Sequence, residues 1–272
     1  MDNNLKKENP IGIFDSGIGG LTVAHAIKTH LPKEQLVYFG DTAHLPYGDK
    51  EPYSIKHYSV EIAKFLLERK CKLIVIACHT ASSIAYKEVK RIVGNQAIVV
   101  NVVDPVVQLL AKINKSNAVG VIGTKGTIKS DVYRKRIADE NATLFVKSLA
   151  TPLLCPMIEE GFIDDKISQT VIDSYLSDER LSDIEHIILA CTHYPLIKKQ
   201  ISSYYSDRVN VIDSAEVVAQ HVAKLLDSKN LLSEIQRYPH HFFVSDYTKS
   251  FEKSTRFFFK EKIKLEKGSI WS

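Results

Sequence analysis

Two patterns of apolar and polar positions alternate along this chain. Short runs rich in β-branched residues, such as IGIFDS (11–16) and KLIVIAC (72–78), are apolar almost throughout, which is typical of parallel strands covered on both faces. Between them, stretches such as 54–70 and 215–229 carry apolar residues at helical spacing. This alternation predicts an α/β, doubly wound architecture with mainly parallel sheets. The predicted strands cover 11–16, 35–41, 72–78, 97–104, 118–124, 143–149, 186–191, 208–213 and 241–246.

Two of the predicted strands end in nearly the same way. Residues 74–80 read IVIACHT and residues 187–193 read IILACTH, so an apolar run leads into Ala-Cys and then a Thr and a His in swapped order. Chance repetition of this pattern is improbable, and it predicts two similar α/β units.

The chain has no long linker rich in Pro, Gly or Ser, so the boundary between the units must be tight. VVDPVVQLL (102–110) is a suitable crossing into the second unit, and VIDSAEVV (211–218) a suitable return to the first. The predicted first domain is therefore 1–102 plus 213–272, and the second is 103–212.

Composition excludes several classes of protein. With 272 residues, 44% of them hydrophobic, the chain can bury a sizeable core. The net charge of +4 is spread among acidic residues, and no basic block indicates a nucleic-acid partner. The most basic stretch, 253–267, reads as a solvated edge with snorkelling lysines.

The expected compartment follows from what the chain lacks. No apolar run approaches the ~18 residues of a membrane span, and the polar start has no signal-peptide core. We therefore expect a cytoplasmic protein with no membrane partner, in which all four cysteines are thiols. Without a CxxC pair, their spacing does not indicate a structural zinc site.

Cys78 and Cys191 are the strongest chemical candidates. Cys78 precedes residues that look like a helix start, where the helix dipole and free N–H groups stabilise a thiolate. Cys191 precedes Thr192 and His193, whose imidazole could polarise a thiol or a substrate, and Pro195 could open a helix. Most free cysteines are small buried apolar residues, and for either cysteine alone that interpretation is the stronger one. Their repetition favours function, whereas Cys71 reads as packing and Cys155 lacks this context.

Three further strand ends could bind a small anion. In IFDSGIGG, Asp15 and Ser16 precede glycines that let the backbone approach a ligand, although the spacing fits neither a dinucleotide nor a P-loop motif. In GDTAHLPYG (40–48), a turn at 46–48 can present a backbone N–H and an aromatic wall. VIGTKGT, around Thr124, is similar. Plain turns and surface loops are the alternative interpretation of all three.

Two matched thiols suit one particular reaction. Inverting a stereocentre by proton transfer needs a base on one face and an acid on the other, with the roles exchanged in the reverse direction. A thiol can serve as acid or as base, because its pKa is about 8.5 and its surroundings can lower that value. The pattern therefore predicts cofactor-independent racemisation.

The motifs DSGIGG (15–20), LPYG (45–48), CHTAS (78–82), CTHYP (191–195) and DSA (213–215) occur in this order. In them the chain resembles the bacterial glutamate racemases of the aspartate/glutamate racemase superfamily, from about residue 11 to about residue 247. The resemblance implies two facing α/β domains with the site in the cleft between them, and no pyridoxal phosphate or metal. It also implies that the substrate is glutamate and that the product, D-glutamate, supplies peptidoglycan and so cell shape.

The resemblance assigns roles to individual residues. It implies that Cys78 and Cys191 are the acid/base pair and that Asp15 and His193 assist them. It gives lower-ranked auxiliary roles to Asp41 and Glu159. The substrate-binding set that it implies is Asp15, Ser16, Tyr47, Gly48, His79, Thr80, Thr124, Thr192 and His193.

Two positions depart from the family pattern. His79 stands where Asn is usual, and Ala190 stands where Gly usually precedes the second cysteine. A histidine at a substrate-contacting position changes charge near neutrality, so it would add a pH dependence to binding.

Other functions fit parts of the pattern. An aspartate or other amino-acid racemase on the same fold would share every motif. A hydrolase would need only Cys78 or Cys191 with His193. A small-ligand sensor or protein-binding module would need no chemistry. A homodimer is an open assembly state.

Overall fold

The computed structural model describes residues 5–113 and 118–271, which contain two parallel sheets. The strands, numbered along the chain, are β1 Ile11–Asp15, β2 Leu36–Gly40, β3 Leu73–Ile76, β4 Ile98–Asn101, β5 Ala118–Gly123, β6 Phe145–Ala150, β7 His186–Ala190, β8 Asn210–Ile212, β9 His241–Val244 and β10 Leu265–Lys267. The first sheet has the order β10-β9-β2-β1-β3-β4, and the second has the order β6-β5-β7-β8.

Helices connect most of these strands. They are α1 Leu21–His30, α2 Pro52–Glu68, α3 His79–Val93, α4 Val103–Leu110, α5 Lys125–Ser130, α6 Val132–Glu140, α7 Leu154–Glu159, α8 Lys166–Leu176, α9 Lys198–Tyr204, α10 Ser214–Ser228 and α11 Lys249–Phe259. Within the described ranges, no helix combines the length and apolar character needed to cross a bilayer.

The two sheets repeat one topology. The order β2-β1-β3-β4 in the first sheet corresponds strand for strand to β6-β5-β7-β8 in the second. Each sheet therefore reverses its strand order once, between β1 and β3 and between β5 and β7. Ligands of open α/β sheets bind beyond the carboxyl ends of the strands at such a reversal. The topology therefore predicts two half-sites, one at each reversal.

Apolar packing joins the two sheets. One buried cluster contains Val75 of β3, Leu189 of β7, Leu21 of α1 and Val218 of α10, so both sheets share a core with these helices. Separate clusters cover the opposite faces, with α2 and α3 on the first sheet and α4 and α6 on the second. Strands covered on both faces explain the unbroken apolar runs in the sequence.

The predicted α/β fold with two mainly parallel sheets is confirmed, and the strands of each sheet lie within the predicted domain ranges. The boundaries at 102/103 and 212/213 stay a prediction. The strand predicted over 97–104 was too long, because Asn101 ends it. The Oδ1 atom of Asn101 accepts hydrogen bonds of 2.8 Å from the N–H groups of Val103 and Asp104 and starts α4. The edge strand β10 was not predicted.

Candidate active site

Cys78 and Cys191 occupy equivalent places in the two sheets. Cys78 follows β3 and Cys191 follows β7, each the third strand of the repeated topology. Both are buried, and both line one cavity of about 250 Å³. This volume lies below the range of drug-sized pockets and suits a small metabolite.

Most of the predicted site residues line the same cavity. Asp15 and Asp41 do not, because both are fully buried beneath its wall. The predicted residues that line it are Ser16, Tyr47, Gly48, Cys78, His79, Thr80, Thr124, Glu159, Cys191, Thr192 and His193.

Cys78 begins α3 and has few polar partners. Its Sγ accepts a hydrogen bond of 3.4 Å from the backbone N–H of Ala81, as a helix cap does. The thiol also lies 3.6 Å from the hydroxyl of Ser16. This is the helix N-terminus that the sequence predicts.

Cys191 has stronger polar partners. Its Sγ lies 3.7 Å from Nδ1 of His193, and Nε2 of that ring lies 2.9 Å from Oε1 of Glu159. Pro195 sits in the first turn of a 3₁₀ helix, Tyr194–Ile197, which leads into α9 and fixes the chain after His193. A second thiol, Cys155 of α7, lies 3.1 Å from Cys191.

Burial controls the ionisation of both thiols. It raises the pKa of Cys78 to about 12, assisted by the negative charge of Asp15, and outweighs the hydrogen bond from Ala81. Burial and Cys155 likewise raise the pKa of Cys191, which His193 opposes. The hydrogen bond at the helix N-terminus does lower the pKa of Cys78, as the sequence predicts, but desolvation outweighs it.

The pKa of His193 moves the other way. Burial alone would lower it, but the hydrogen bonds and charges of Cys191 and Glu159 raise it to about 10. A protonated imidazole beside Cys191 stabilises a thiolate there. The predicted assisting role of His193 thus has a geometric basis.

Asp15 organises the glycine-rich loop from below. Its Oδ2 accepts hydrogen bonds from the N–H groups of Gly17 (3.1 Å) and Gly20 (3.0 Å). Burial raises the pKa of this carboxyl. The loop packs closely on the second domain, since a Cβ added at Gly19 would lie 2.4 Å from His193. Its Oδ1 accepts a hydrogen bond of 3.4 Å from the hydroxyl of Thr192. Asp15 is therefore placed to position the loop and Thr192, while its predicted roles in assisting the thiols and contacting the substrate stay predictions.

Asp41 holds Tyr47. Its carboxylate accepts hydrogen bonds from the hydroxyl of Tyr47 (2.7 Å), from Ser245 (2.8 Å) and from the indole N–H of Trp271 (3.1 Å). This network fixes the LPYG turn against the cavity. The auxiliary role of Asp41 stays a prediction, and its contact with Tyr47 is the route by which this carboxylate reaches the cavity wall.

Hydroxyl groups join the two domains across the cavity. Oγ1 of Thr80 lies 2.9 Å from Oγ1 of Thr124 and 3.1 Å from that of Thr127. Gly48 lies against Thr124, where an added Cβ would approach the threonine Cβ to 2.9 Å. A glycine is therefore required for this close approach.

His79 reaches the cavity with no ring nitrogen to spare. Its Nδ1 lies 2.9 Å from the hydroxyl of Tyr133, and its Nε2 lies 3.0 Å from that of Ser214. Burial lowers the pKa of His79 to about 3, so the ring is neutral at physiological pH. The expectation that His79 changes charge near neutrality is therefore wrong. The imidazole ring of His79 instead links α3 to α6 and α10.

A family model described as Asp/Glu/Hydantoin racemase matches residues 21–222. This chain belongs to the Asp/Glu/Hydantoin racemase family. Glutamate racemase from Geobacter metallireducens is 43% identical over 242 residues, which cover 89% of each chain.

Solved structures of racemases share the fold. Glutamate racemase from Francisella tularensis, in complex with D-glutamate, matches with a TM-score of 0.90 at 36% identity, covering 97% of this chain and 98% of that one. Glutamate racemase from Thermus thermophilus, in complex with β-chloro-D-alanine, matches with a TM-score of 0.87 at 36% identity and the same coverage. The predicted family and the class of enzyme, an amino-acid racemase, are confirmed.

Sequence reasoning missed several cavity residues of this racemase. Cys155 arrives on α7, far along the chain from either motif, and only its residue type could have drawn attention to it. Lys125 pairs loosely with Asp49 at 3.8 Å, and its signal was the GTKGT motif. The other cavity residues outside the predicted set are Gly17, Leu45, Pro46, Asp49, Pro152, Pro156 and Ala190.

Proposed function

We propose that this racemase interconverts L- and D-glutamate without a cofactor, by two-base proton transfer between Cα and the thiols of Cys78 and Cys191. The observation that carries the proposal is the placement of both thiols on one cavity, each just after the equivalent strand of a repeated sheet. Glutamate is the substrate because the close relatives named above are glutamate racemases. The proposed role is the supply of D-glutamate for peptidoglycan in the cytoplasm.

Each turnover moves one proton off Cα and another onto it. Cys191 as thiolate removes the α-proton of L-glutamate, and Cys78 as thiol donates its proton to the opposite face. Cα inverts, and the enzyme is left with Cys191 as thiol and Cys78 as thiolate. The same steps in reverse convert D-glutamate, so no redox change or leaving group is involved.

Because both thiols are buried, the bound substrate must help to stabilise the thiolate. Burial disfavours either thiolate, so an ammonium group bound between the thiols would favour the charged form. On the Cys191 side, His193 and Glu159 add a second source of stabilisation through the 3.7 Å and 2.9 Å contacts. Deprotonation of the thiol that acts as base is therefore favoured when an amino acid is bound.

The polar wall of the cavity accounts for substrate binding. Ser16, Thr80, Thr124 and Thr192 offer hydroxyl groups, and the amino-terminal N–H groups of α3 favour a carboxylate. Lys125 at the rim adds a positive charge suited to a second carboxylate. A substrate with two carboxylates is therefore a better fit than alanine.

Circular dichroism of purified protein with L- or D-glutamate, aspartate or alanine tests the proposal. We expect glutamate to racemise in both directions after dialysis against EDTA and after hydroxylamine treatment. Activity restored only by pyridoxal phosphate or a metal would contradict the cofactor-free reaction. Faster turnover of aspartate than of glutamate would move the assignment to an aspartate racemase.

A further inference from the structure

Three metal-binding side chains meet on one wall of the cavity. Sγ of Cys155 lies 3.1 Å from Sγ of Cys191, which lies 3.7 Å from Nδ1 of His193. These three atoms all lie within 4.8 Å of one another. Two of them belong to the proposed reaction, but that reaction has no use for Cys155.

Two of the three separations are close to those around a tetrahedral zinc ion, and the third pair, Cys155 and His193, lies within 4.8 Å. Bond lengths of about 2.3 Å to sulfur and about 2.0 Å to nitrogen place two sulfurs about 3.8 Å apart, and a sulfur and a nitrogen about 3.5 Å apart. The contact between Cys191 and His193 already has this spacing. The two sulfurs must separate by less than about 1 Å. Cys155 is only partly buried, on a six-residue helix.

The imidazole is oriented as a metal ligand requires. A histidine that binds a metal through one ring nitrogen usually donates the N–H of the other to a carboxylate, which fixes the ring and its tautomer. In this site Nε2 lies 2.9 Å from Glu159. Once the ring is neutral with its remaining proton on Nε2, the lone pair of Nδ1 points towards Sγ of Cys191, 3.7 Å away.

We propose that Cys155, Cys191 and His193 form a zinc-binding site that switches the racemase off. Zn²⁺ would take two thiolates and Nδ1, and its fourth position would open to the cavity that all three residues line. Two thiolates balance the charge of the ion, which suits a buried site. Binding releases the protons of both thiols and any proton on Nδ1.

The inhibition rests on the proposed function, because it requires Cys191 to be a base. A thiolate bound to zinc has no free electron pair of sufficient basicity to take the α-proton, and the ion also occupies space beside Cα. Cys78 does not belong to the metal-binding group, so the switch would act on one thiol only. The ion is an inhibitor here and takes no part in turnover.

Cobalt titration of reduced, metal-free protein tests the site without relying on activity. We expect one Co²⁺ per chain, with thiolate-to-cobalt charge-transfer bands in the near ultraviolet and the intense visible bands of tetrahedral cobalt. Added Zn²⁺ should abolish both. Absence of these bands, or their persistence unchanged in Cys155→Val, would overturn the proposal.

Variants sharpen the assignment. Cys155→Val should weaken Co²⁺ binding at least about tenfold and halve the charge-transfer intensity, while Cys71→Ala, a buried cysteine outside the site, should change neither. Glu159→Gln keeps the three ligands and should weaken binding about tenfold, as loss of a carboxylate partner does. His193→Asn provides a second test should Cys155→Val fail to fold.

Racemase assays then separate the site from the reaction. Each variant is compared with its own rate without metal. We expect Zn²⁺ to inhibit the unmodified enzyme in proportion to occupancy, and Cys155→Val to need at least about tenfold more Zn²⁺. Cobalt bands with full racemase activity at saturating metal would keep the site but contradict the role of Cys191 as a base.

Discussion

The surroundings of the two thiols differ although their places in the fold match. Cys78 caps a long helix and meets one backbone N–H and the hydroxyl of Ser16. Cys191 precedes a 3₁₀ turn and meets an imidazole that is itself held by Glu159. The repeated sheet therefore provides equivalent positions, while the residues that follow each strand provide different electrostatics.

This asymmetry has a thermodynamic limit. L- and D-glutamate have equal free energies in water, so their equilibrium constant is one, and kcat/KM must be equal in the two directions for any variant. A better base on one side therefore cannot favour one product. It can only change which proton transfer limits the rate, and isotope effects measure that directly.

The largest expected effect comes from removing either thiol. Cys78→Ser and Cys191→Ser should each lower racemisation more than about 10³-fold, because a hydroxyl is a far weaker base than a thiolate. Each variant should still exchange one enantiomer with solvent deuterium. Cys191→Ser should exchange the α-proton of D-glutamate, and Cys78→Ser should exchange that of L-glutamate. Mass spectrometry of each enantiomer measures the deuterium incorporated at Cα.

Cys71→Ala is the matched control for these variants. Cys71 is buried behind β1 and does not line the cavity, so racemisation should stay close to the unmodified rate. Near-normal racemisation by either serine variant would refute the two-thiol mechanism and favour a hydrolase with a single cysteine. Hydrogen chloride elimination from the two enantiomers of a β-chloro analogue gives an independent assignment of the faces.

His193→Asn should produce the next largest effect. Loss of the imidazole leaves Cys191 without its cationic partner, and kcat/KM should fall about 10²- to 10³-fold in both directions. The isotope effect with α-deuterated L-glutamate should rise, because the Cys191 step becomes limiting. The isotope effect with α-deuterated D-glutamate should fall.

Ser16→Ala tests the other side of the comparison. It removes the only side-chain partner of Cys78 among the hydrogen bonds of the described residues, and it should produce the opposite isotope pattern with a smaller loss of rate. The same isotope pattern in both variants would mean that His193 and Ser16 do not act on separate thiols.

Sequence reasoning succeeded where strand geometry determines position. An apolar strand followed by a polar turn places its last residues at the carboxyl edge of a parallel sheet, so Cys78, Cys191 and Thr124 could be assigned to one site. The edge strand β10 was missed because its three residues, Leu265–Lys267, carry two charges and give little period-two signal.

Strand position does not determine which way a side chain turns. Asp15 ends β1 and Asp41 follows β2, yet both side chains turn inward and accept hydrogen bonds from backbone or side-chain donors. The packing of α7 places Cys155 beside Cys191. No local sequence pattern predicts this tertiary contact. The helix N-terminus lowers the pKa of Cys78 as predicted, but its sequence does not show how deeply the thiol is buried, and burial decides the net direction.

Substitution of His79 should have the smallest effect on racemisation. His79 is next to Cys78 in the sequence, but its ring contacts α6 and α10. Its two hydrogen bonds go to Tyr133 and Ser214. His79→Asn should keep kcat/KM within about tenfold, or about 1.4 kcal/mol. Since the pKa of His79 is lowered to about 3, the pH–rate profile between pH 6 and 8 should not change.

Acid unfolding gives the clearest readout for this residue. A buried histidine with a lowered pKa stabilises the fold fully above its unfolded pKa of about 6.5, and this stability is lost as the pH falls towards about 3. The free energy of unfolding should drop by up to about 1.4 kcal/mol per pH unit through this term, and the drop should be shallower in His79→Asn. Tyr133→Phe, which removes one hydrogen bond and keeps the histidine, should retain the slope. A loss of activity by several orders of magnitude in a folded His79→Asn protein would instead give His79 a direct role in the reaction beside Cys78. Each thiol would then have a histidine as a functional partner.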